Sequence, residues 1–421
     1  MRILHTSDWH LGIRHGLTSR GPDHDLFLDW LQGQLSEREI DVLIVAGDVF
    51  DSMQPSAEAL GRYYRFLSQV GQSGVAQVIL IGGNHDSASR LDAPAEVLSS
   101  LQVHVVGGIG ATEISWERCL LPLVNRAGEV AAVGLAVPYV HEFRLGVRTT
   151  DLDHAAVRAQ FEERFGAVYS RLCDLARERW PDLPILATGH LTLGEARRED
   201  YPQEIHLIGN VERLPDSVLD SRIQYTALGH IHRCYPVGKS RRAWYSGSPI
   251  ALSIAEASTP RQVLQVQLDA DPEGQARVER VEVPAPRGLV ELRAEPDALV
   301  EQVEGLKWEE SLPPLLFCRA VTDVLPSELP TRIHKALERF EEGNRPTLVE
   351  LRQQRASAVD PEQSQRAPSL SELSAPEVFH TLCQSLGITE TSDLDGAFAS
   401  LSSATEEDFQ SMIGTVREGT P

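Results

Sequence analysis

The chain has 421 residues, of which 42% are hydrophobic and 24% are charged, and its formal net charge is −22. This composition is that of a globular protein, and the length exceeds one ordinary domain. The acidity excludes a generally basic nucleic-acid binder, because duplex binding draws its affinity from Lys and Arg side chains that neutralise phosphates. A nucleic-acid substrate would require local basic patches, metal ions or a partner.

The sequence also lacks the features of a membrane or secreted protein. It contains no apolar stretch of about 18 residues, and no signal-peptide pattern precedes the first apolar run. The five cysteines are scattered without a C-x-x-C pair, so they indicate neither a disulfide framework nor a thiolate zinc site. We therefore expect a cytoplasmic chain with no membrane partner.

Five short apolar runs predict buried strands, at 3–4, 42–46, 78–81, 185–187 and 225–228. Each run leads into a segment that carries Asp, Asn or His. Functional groups gather beyond the carboxyl ends of strands in open α/β sheets. Glycine precedes Asp48, Asn84, His190 and His230, and it lets the backbone turn sharply there. We expect the five segments to meet in one cleft.

The predicted organisation continues with three further parts. Alternating runs at 263–268 and 278–283 predict a hairpin that closes a sheet and ends a first domain, 1–283. After a Pro-rich break, strand 289–294, helix 297–306, strand 315–322, helix 331–341 and strand 347–352 predict a small α/β domain over 284–352. Residues 353–370 have the composition of a linker, and a capping-box pattern at 374–377 predicts a helical segment over 371–421. The preceding linker favours docking of that segment onto another protein.

The segments after the strands carry seven side chains that suit a metal centre. Imidazole and carboxylate ligands without thiolate favour Mn²⁺, Fe²⁺ or Zn²⁺. Seven are too many for one ion and enough for two that share a carboxylate, for which Asp48 is the natural bridge. Two ions roughly 3.5–4 Å apart promote hydrolysis of a phosphate ester. The seven candidates are Asp8, His10, Asp48, Asn84, His190, His230 and His232.

His85 follows a candidate ligand directly and is placed to contact a substrate phosphate or to protonate a leaving oxygen. Asp51 or Asp86 could hold its ring in the required tautomer. A lone loop histidine is usually only a surface residue, but chance placement of all five segments after strands is far less common. We interpret three other histidines and one tryptophan as packing or surface residues: His5, His15, His24 and Trp9.

The motif order D-x-H, G-D, G-N-H-D, G-H and G-H-x-H resembles the calcineurin-like metallophosphoesterase superfamily over residues 1 to about 250. MRILHTSDWHLG at 1–12, GDVFD at 47–51, and GHIH at 229–232 followed by YSGS at 245–248 resemble its SbcD nuclease family. Phosphatases typically continue the second motif with Arg-Gly, where this chain has Ser52-Met53, which counts against a phosphoprotein substrate. The resemblance implies an α/β fold: a four-layer α/β/β/α sandwich with a small α/β capping domain and a C-terminal helical tail.

The resemblance also implies roles for individual residues. It assigns one ion to Asp8, His10, Asp48 and His232, and the other to Asp48, Asn84, His190 and His230. It makes His85 a catalytic residue at the scissile phosphate, and Asp51 matches the acid that phosphatases pair with this histidine. The cofactor implied is two divalent ions, with Mn²⁺ favoured.

The activity and partners that the resemblance implies are those of a DNA repair and recombination nuclease. They are exonuclease action on duplex ends, endonuclease action on single strands or hairpins, and a homodimer within a heterotetramer containing an SbcC-like SMC-family ATPase. The chain has no G-x-x-x-x-G-K-[ST] motif, so ATP hydrolysis would come from that partner. Binding to DNA would associate it with the nucleoid. Candidates for DNA-backbone contacts, or equally for solvated surface charge, are Arg14, Arg20, Arg197, Arg198, Lys239, Arg241 and Arg242.

Two other functions are compatible with the motifs. A small-nucleotide phosphodiesterase would use the same centre, but it needs neither a second domain nor a detached helical tail. A scaffold protein with a vestigial site is the other alternative, and the full set of seven candidate ligands counts against it.

Overall fold

The computed structural model describes residues 1–109, 116–147, 154–194 and 213–355. The strands are β1 (Arg2–Thr6), β2 (Arg14–His15), β3 (Thr18–Ser19), β4 (Val42–Ala46), β5 (Gln77–Ile81), β6 (Val103–Val106), β7 (Leu120–Val124), β8 (Val130–Leu135), β9 (Ile185–His190), β10 (Ile223–Gly229), β11 (Tyr235–Val237), β12 (Ala243–Tyr245), β13 (Gln262–Gln267), β14 (Arg277–Glu282), β15 (Leu289–Ala294), β16 (Leu315–Val321) and β17 (Thr347–Gln354). The helices are α1 (Gly21–Glu37), α2 (Ala57–Val70), α3 (Ala88–Asp92), α4 (Ala95–Ser99), α5 (Trp116–Cys119), α6 (His154–Arg179), α7 (Pro296–Glu304) and α8 (Leu329–Leu337).

Two six-stranded mixed sheets form the main body. The first has the order β14-β13-β1-β4-β5-β6, in which β1, β4, β5 and β6 are parallel and the β13–β14 hairpin is antiparallel. The second has the order β11-β12-β10-β9-β8-β7, in which only the edge strands β11 and β7 are antiparallel. All five predicted strands and the predicted hairpin are therefore confirmed.

Alternation along the strands of the first sheet divides the core into two layers. Ile44 and Ile79 belong to a buried cluster that includes Tyr225 of the second sheet. Leu43 and Leu80 lie in another cluster, with side chains of α1 and α2. Phenylalanines of α6 join the first cluster, on the second sheet. The result is the expected α/β/β/α sandwich, in which buried apolar area supplies most of the stabilisation.

A smaller parallel sheet, β15-β16-β17, follows the main body. Leu299 and Val303 of α7 and Ile333 and Leu337 of α8 pack in one core on this sheet, as the helical spacing predicts. The predicted helix 297–306 ends two residues early. The predicted helix 331–341 begins two residues early, because Pro330 suits the first turn of α8, and it ends four residues early, at Leu337. The boundary after residue 283 stays a prediction, and the helical segment 371–421 lies outside the described residues.

Three aromatic or imidazole side chains near the amino terminus are packing residues, in agreement with the interpretation from the sequence. Trp9 is fully buried and makes edge contacts with Phe27 and Phe66. His24 is buried, and its Nε2 lies 2.7 Å from the carbonyl oxygen of Trp9. His5 is buried in β1 with Nδ1 2.8 Å from the Tyr225 hydroxyl. Over the described residues, the helices are too short or too polar to span a membrane.

His5 gives the fold a specific sensitivity to acid. Burial lowers the pKa of His5 to about 3, so the folded chain keeps this ring neutral at pH 5. The unfolded chain takes up a proton there below about pH 6.5. Stability is therefore complete above pH 6.5 and falls toward pH 3, by up to about 1.4 kcal/mol per pH unit. His5→Gln is expected to flatten the pH dependence of the free energy of unfolding between pH 6 and 4.5, measured by urea titration.

His334→Gln is the matched control, because His334 is exposed on α8. It should leave the wild-type slope unchanged. A wild-type slope in the His5→Gln variant would contradict the assignment.

Candidate metal centre

The candidate residues follow the carboxyl ends of parallel strands in two facing sheets. Asp8, Asp48 and Asn84 follow β1, β4 and β5 of the first sheet, whereas His190 ends β9 and His230 follows β10 of the second. Because the sheets pack face to face, these ends meet at one edge of the sandwich.

Backbone strain is concentrated at these residues. Four of the candidates have positive φ angles, 53° at Asp8, 47° at His10, 49° at Asp48 and 93° at His230. Left-handed backbone is uncommon outside glycine and costs free energy, which the surrounding packing must offset. Such strain typically marks functional sites.

Two glycines allow the loops to approach each other. Gly47 has φ +89°, and a Cβ at this position would clash with the His190 ring. A Cβ at Gly83 would clash with the backbone and carboxylate of Asp48. The glycines before the polar residues therefore provide close approach as well as the turn that the sequence predicts.

Asp48 lies at the middle of the cluster. Its Oδ2 is 3.6 Å from Nε2 of His10 and 3.3 Å from Nε2 of His190. Ligand atoms of Asp48, His190 and His230 lie within 4.8 Å of one another, as do those of Asp8, His10 and His232. A carboxylate between two groups of donors is the arrangement that a bridging ligand requires.

Asn84 completes the group formed by Asp48, His190 and His230. Its Oδ1 lies 3.0 Å from Nε2 of His190 and 3.0 Å from Nδ1 of His230. The main chain of His230 also donates to Oδ1 of Asp8 over 2.8 Å. The structure thus brings all seven sequence-predicted side chains together.

The cluster fits a divalent cation. Nε2 of His10 is buried and has no hydrogen-bond partner within the described ranges, which is costly for a polar atom. A cation facing that nitrogen would remove the cost. Imidazole, carboxylate and amide donors without thiolate are ligands that suit Mn²⁺, Fe²⁺ or Zn²⁺.

The electrostatics also favour positive charge. Burial opposes charge on His10, but the hydrogen bond to Asp51 and the negative charges of Asp48 and Asp8 raise its pKa to about 9. Asp48 raises the pKa of His190 to about 9 in the same way, against the effect of burial. Burial and the neighbouring His190 lower the pKa of His230 to about 3. A bound cation would replace the protons on the two imidazoles whose pKa is raised.

Carbonyl and carboxylate groups hold the second ring nitrogen of three of these histidines. Nδ1 of His190 lies 2.9 Å from the carbonyl oxygen of Ala46, and Nδ1 of His10 lies 3.3 Å from Oδ1 of Asp51. Nδ1 of His232 lies 3.2 Å from Oε1 of Glu256, a residue that belongs to none of the sequence motifs. Such partners fix the tautomer and orientation of a ligating imidazole.

Glu256→Gln is expected to weaken Mn²⁺ binding by about 10- to 100-fold, the usual effect of losing a partner of a ligating histidine. The carboxylate also accepts from the main chain of Leu252 and from Arg261, so the amide keeps the shape but loses the charge. Titration calorimetry of the metal-free protein measures the change. Glu273→Gln, at an exposed turn, is the control and should bind Mn²⁺ normally. Equal affinities of the two variants would contradict the positioning role.

His85 lies against both the cluster and the loop after β4. Its main-chain N–H donates to Oδ1 of Asp48 over 2.9 Å, and its ring lies edge-on to His10 with centroids 4.8 Å apart. Nδ1 is 3.0 Å from the carbonyl oxygen of Asp51. Asp51 therefore contacts His85 through its carbonyl and His10 through its carboxylate. The carboxylate of Asp86 instead accepts from three main-chain N–H groups, those of Val49, Phe50 and Gly83.

Among the candidate DNA-contacting cations, Arg20 is neither at a surface that DNA could reach nor a solvated surface charge. It is buried, and its guanidinium pairs with Asp23 over 2.9 Å and donates to the carbonyl of Ala251. It therefore ties the start of α1 to the segment that carries Ala251, and the prediction of a backbone contact or surface charge was wrong for this residue. Arg14, Lys239 and Arg241 are exposed. Arg197 and Arg198 lie outside the described residues.

Comparisons with known proteins agree with this geometry. The Calcineurin-like phosphoesterase family matches residues 1–234, a span that includes every candidate ligand. The SbcD component of nuclease SbcCD from Escherichia coli strain K12 is 31% identical over 386 residues, covering 90% of this chain and 92% of that protein. The protein of the same name from Rhodobacter capsulatus is 32% identical over 353 residues, covering 80% and 84%. That from Bacillus subtilis is 31% identical over 296 residues, covering 70% and 72%. The chain belongs to the SbcD family of calcineurin-like phosphoesterases and is a hydrolytic phosphodiesterase.

Proposed function

We propose that the chain is an Mn²⁺-dependent DNA nuclease, an exonuclease on duplex ends and an endonuclease on single strands or hairpins. The observation that carries this proposal is the position of the Asp48 carboxylate between His10 and His190, with further donors on both sides. The names of the relatives, which are components of a nuclease, support DNA as the substrate.

The proposed ligands fall into two groups that share Asp48. Asp8, His10 and His232 complete one group, and Asn84, His190 and His230 complete the other. Two divalent ions bound there would supply a water molecule of lowered pKa and positive charge for the phosphate oxygens.

In this proposal His85 acts on the leaving oxygen. The Asp51 carbonyl accepts from Nδ1–H, and this bond directs Nε2 away from Asp51. An imidazolium at that place donates the Nε2 proton to the oxygen that departs from the phosphate. Asp51 positions two rings at once, His85 by its carbonyl and His10 by its carboxylate.

We further propose that an SMC-family ATPase of the SbcC type is the partner, in a heterotetramer built on a homodimer of this chain. Two points support this: the relatives are named as parts of SbcCD, and a net charge of −22 leaves phosphate binding in part to another surface. The predicted helices of 371–421 are the proposed contact. Such a complex would act on DNA in the cytoplasm, at the nucleoid, in repair and recombination.

A cleavage assay on defined substrates tests the proposal. The full chain, with and without the ATPase and ATP, is incubated with a blunt duplex, a single strand, a hairpin and a cyclic nucleotide. Mn²⁺-dependent cleavage of DNA is expected, with duplex cleavage increased by the ATPase. Hydrolysis of the cyclic nucleotide without cleavage of DNA would instead favour the small-nucleotide phosphodiesterase.

A further inference from the structure

The segment that follows β8 borders the candidate metal centre, although the sequence motifs do not include it. β8 lies next to β9, the strand that ends at His190. The main-chain N–H of Tyr139 donates to the carbonyl of Gly82 over 2.9 Å, which ties this segment to the loop that carries Asn84. Its position relative to the centre is therefore fixed by a strand pair and by a loop contact.

Side chains alternate along this segment. Pro138 and Val140 are buried, and Val140 belongs to the largest hydrophobic cluster of the main body. Tyr139 is partly exposed and His141 is exposed. The Tyr139 and His141 rings contact each other, so both lie on one side of the segment, away from the buried side chains of Pro138 and Val140.

The Tyr139 ring is held against the centre. Its centroid is 6.3 Å from that of His190, with an interplanar angle of 84°, and 4.8 Å from that of His141, with an angle of 80°. Both are edge-to-face contacts, which aromatic rings prefer over a face-to-face sandwich. An oriented and partly exposed aromatic ring thus lies directly beside a proposed metal ligand.

This position has a chemical consequence for a phosphodiester substrate. A scissile phosphate at the centre carries a nucleoside on each side, and the base of one of them is the nearest large π surface. Stacking of a base on an aromatic side chain tolerates any sequence, because every base has a π face. We infer that Tyr139 stacks on the nucleobase beside the scissile phosphate, with His141 fixing the ring. This inference rests on the proposed function.

A series of single-stranded oligonucleotides tests the contact. Each carries one abasic residue, placed in turn at each position next to a cleaved bond. The wild-type chain with Mn²⁺ is expected to cleave the intact strand with a kcat/KM about tenfold higher than the strand lacking the critical base, given the usual contribution of one stack. Tyr139→Ala should remove this preference, because its kcat/KM should fall on the intact strand and stay unchanged on the abasic strand. Tyr139→Phe, which keeps the ring, should retain it.

Tyr64→Ala is the matched control, since Tyr64 is an exposed tyrosine on α2. It should behave as wild type on both substrates. Retained preference in Tyr139→Ala, or an equal loss on intact and abasic strands, would overturn the stacking role and leave the proposed function standing. A wild-type chain that cleaves no oligonucleotide with Mn²⁺ would refute the proposed function, and this inference with it.

Discussion

Asp48→Ala is expected to lower phosphodiester hydrolysis by about 10³-fold or more, because each bound ion is worth several kcal/mol and 1.36 kcal/mol is a factor of ten. Asp48 is the side chain that faces both histidine groups, with Oδ2 3.6 Å from His10 and 3.3 Å from His190. Its loss should also reduce the bound metal from the proposed two ions per chain to one or none. Cleavage of a single-stranded oligonucleotide and metal analysis after gel filtration measure the two effects.

The fold and the binding of the proposed ATPase partner should survive this change. Asp48→Asn is the informative second variant, because the amide oxygen can still accept from the main chain of His85, a bond of 2.9 Å in the wild type. It should preserve the loop and still lose metal, since the charge is gone. Asp29→Ala, at an exposed position of α1, should change neither quantity. Two bound ions and wild-type cleavage in Asp48→Ala would refute the bridging role.

Local patterns explain why the core of the centre could be predicted. A buried strand needs a continuous apolar run, and the runs before Asp48 and Asn84 are β4 and β5 of the structure. A polar residue that follows such a run after one or two glycines lies near the strand's carboxyl end whatever the rest of the chain does. The two small-sheet helices could be predicted for the same reason, since their apolar spacing is local.

Long-range partners could not be predicted in this way. Glu256 reaches His232 from a short turn 24 residues later, and no spacing rule links a carboxylate in such a turn to a histidine. The Asp51 contact with His85 uses a main-chain oxygen, which carries no residue signature. Arg20 looks like a surface cation in the sequence, and only the tertiary structure buries it against Asp23.

His85→Gln is expected to reduce cleavage of DNA by about 10²- to 10⁴-fold, the usual contribution of a general acid or base. Metal binding should persist, because the seven proposed ligands are unchanged and the main-chain bond from residue 85 to Asp48 does not need the imidazole. Metal content therefore distinguishes the two variants. It should be close to the wild-type value in His85→Gln and reduced in Asp48→Ala. Measurement of both in the same preparation provides the comparison.

The leaving group separates proton donation from a general loss of structure. DNA cleavage expels an alkoxide-like oxygen that needs a proton, whereas bis(p-nitrophenyl) phosphate expels a weakly basic phenolate that does not. If His85 supplies the proton, His85→Gln should lose far more activity on DNA than on the aryl ester. His334→Gln, in helix α8 beside the small sheet, should keep its activity on both substrates. Equal losses on both substrates would show that His85 acts in binding or in shaping the centre, because a general acid is needed only where the departing oxygen is basic.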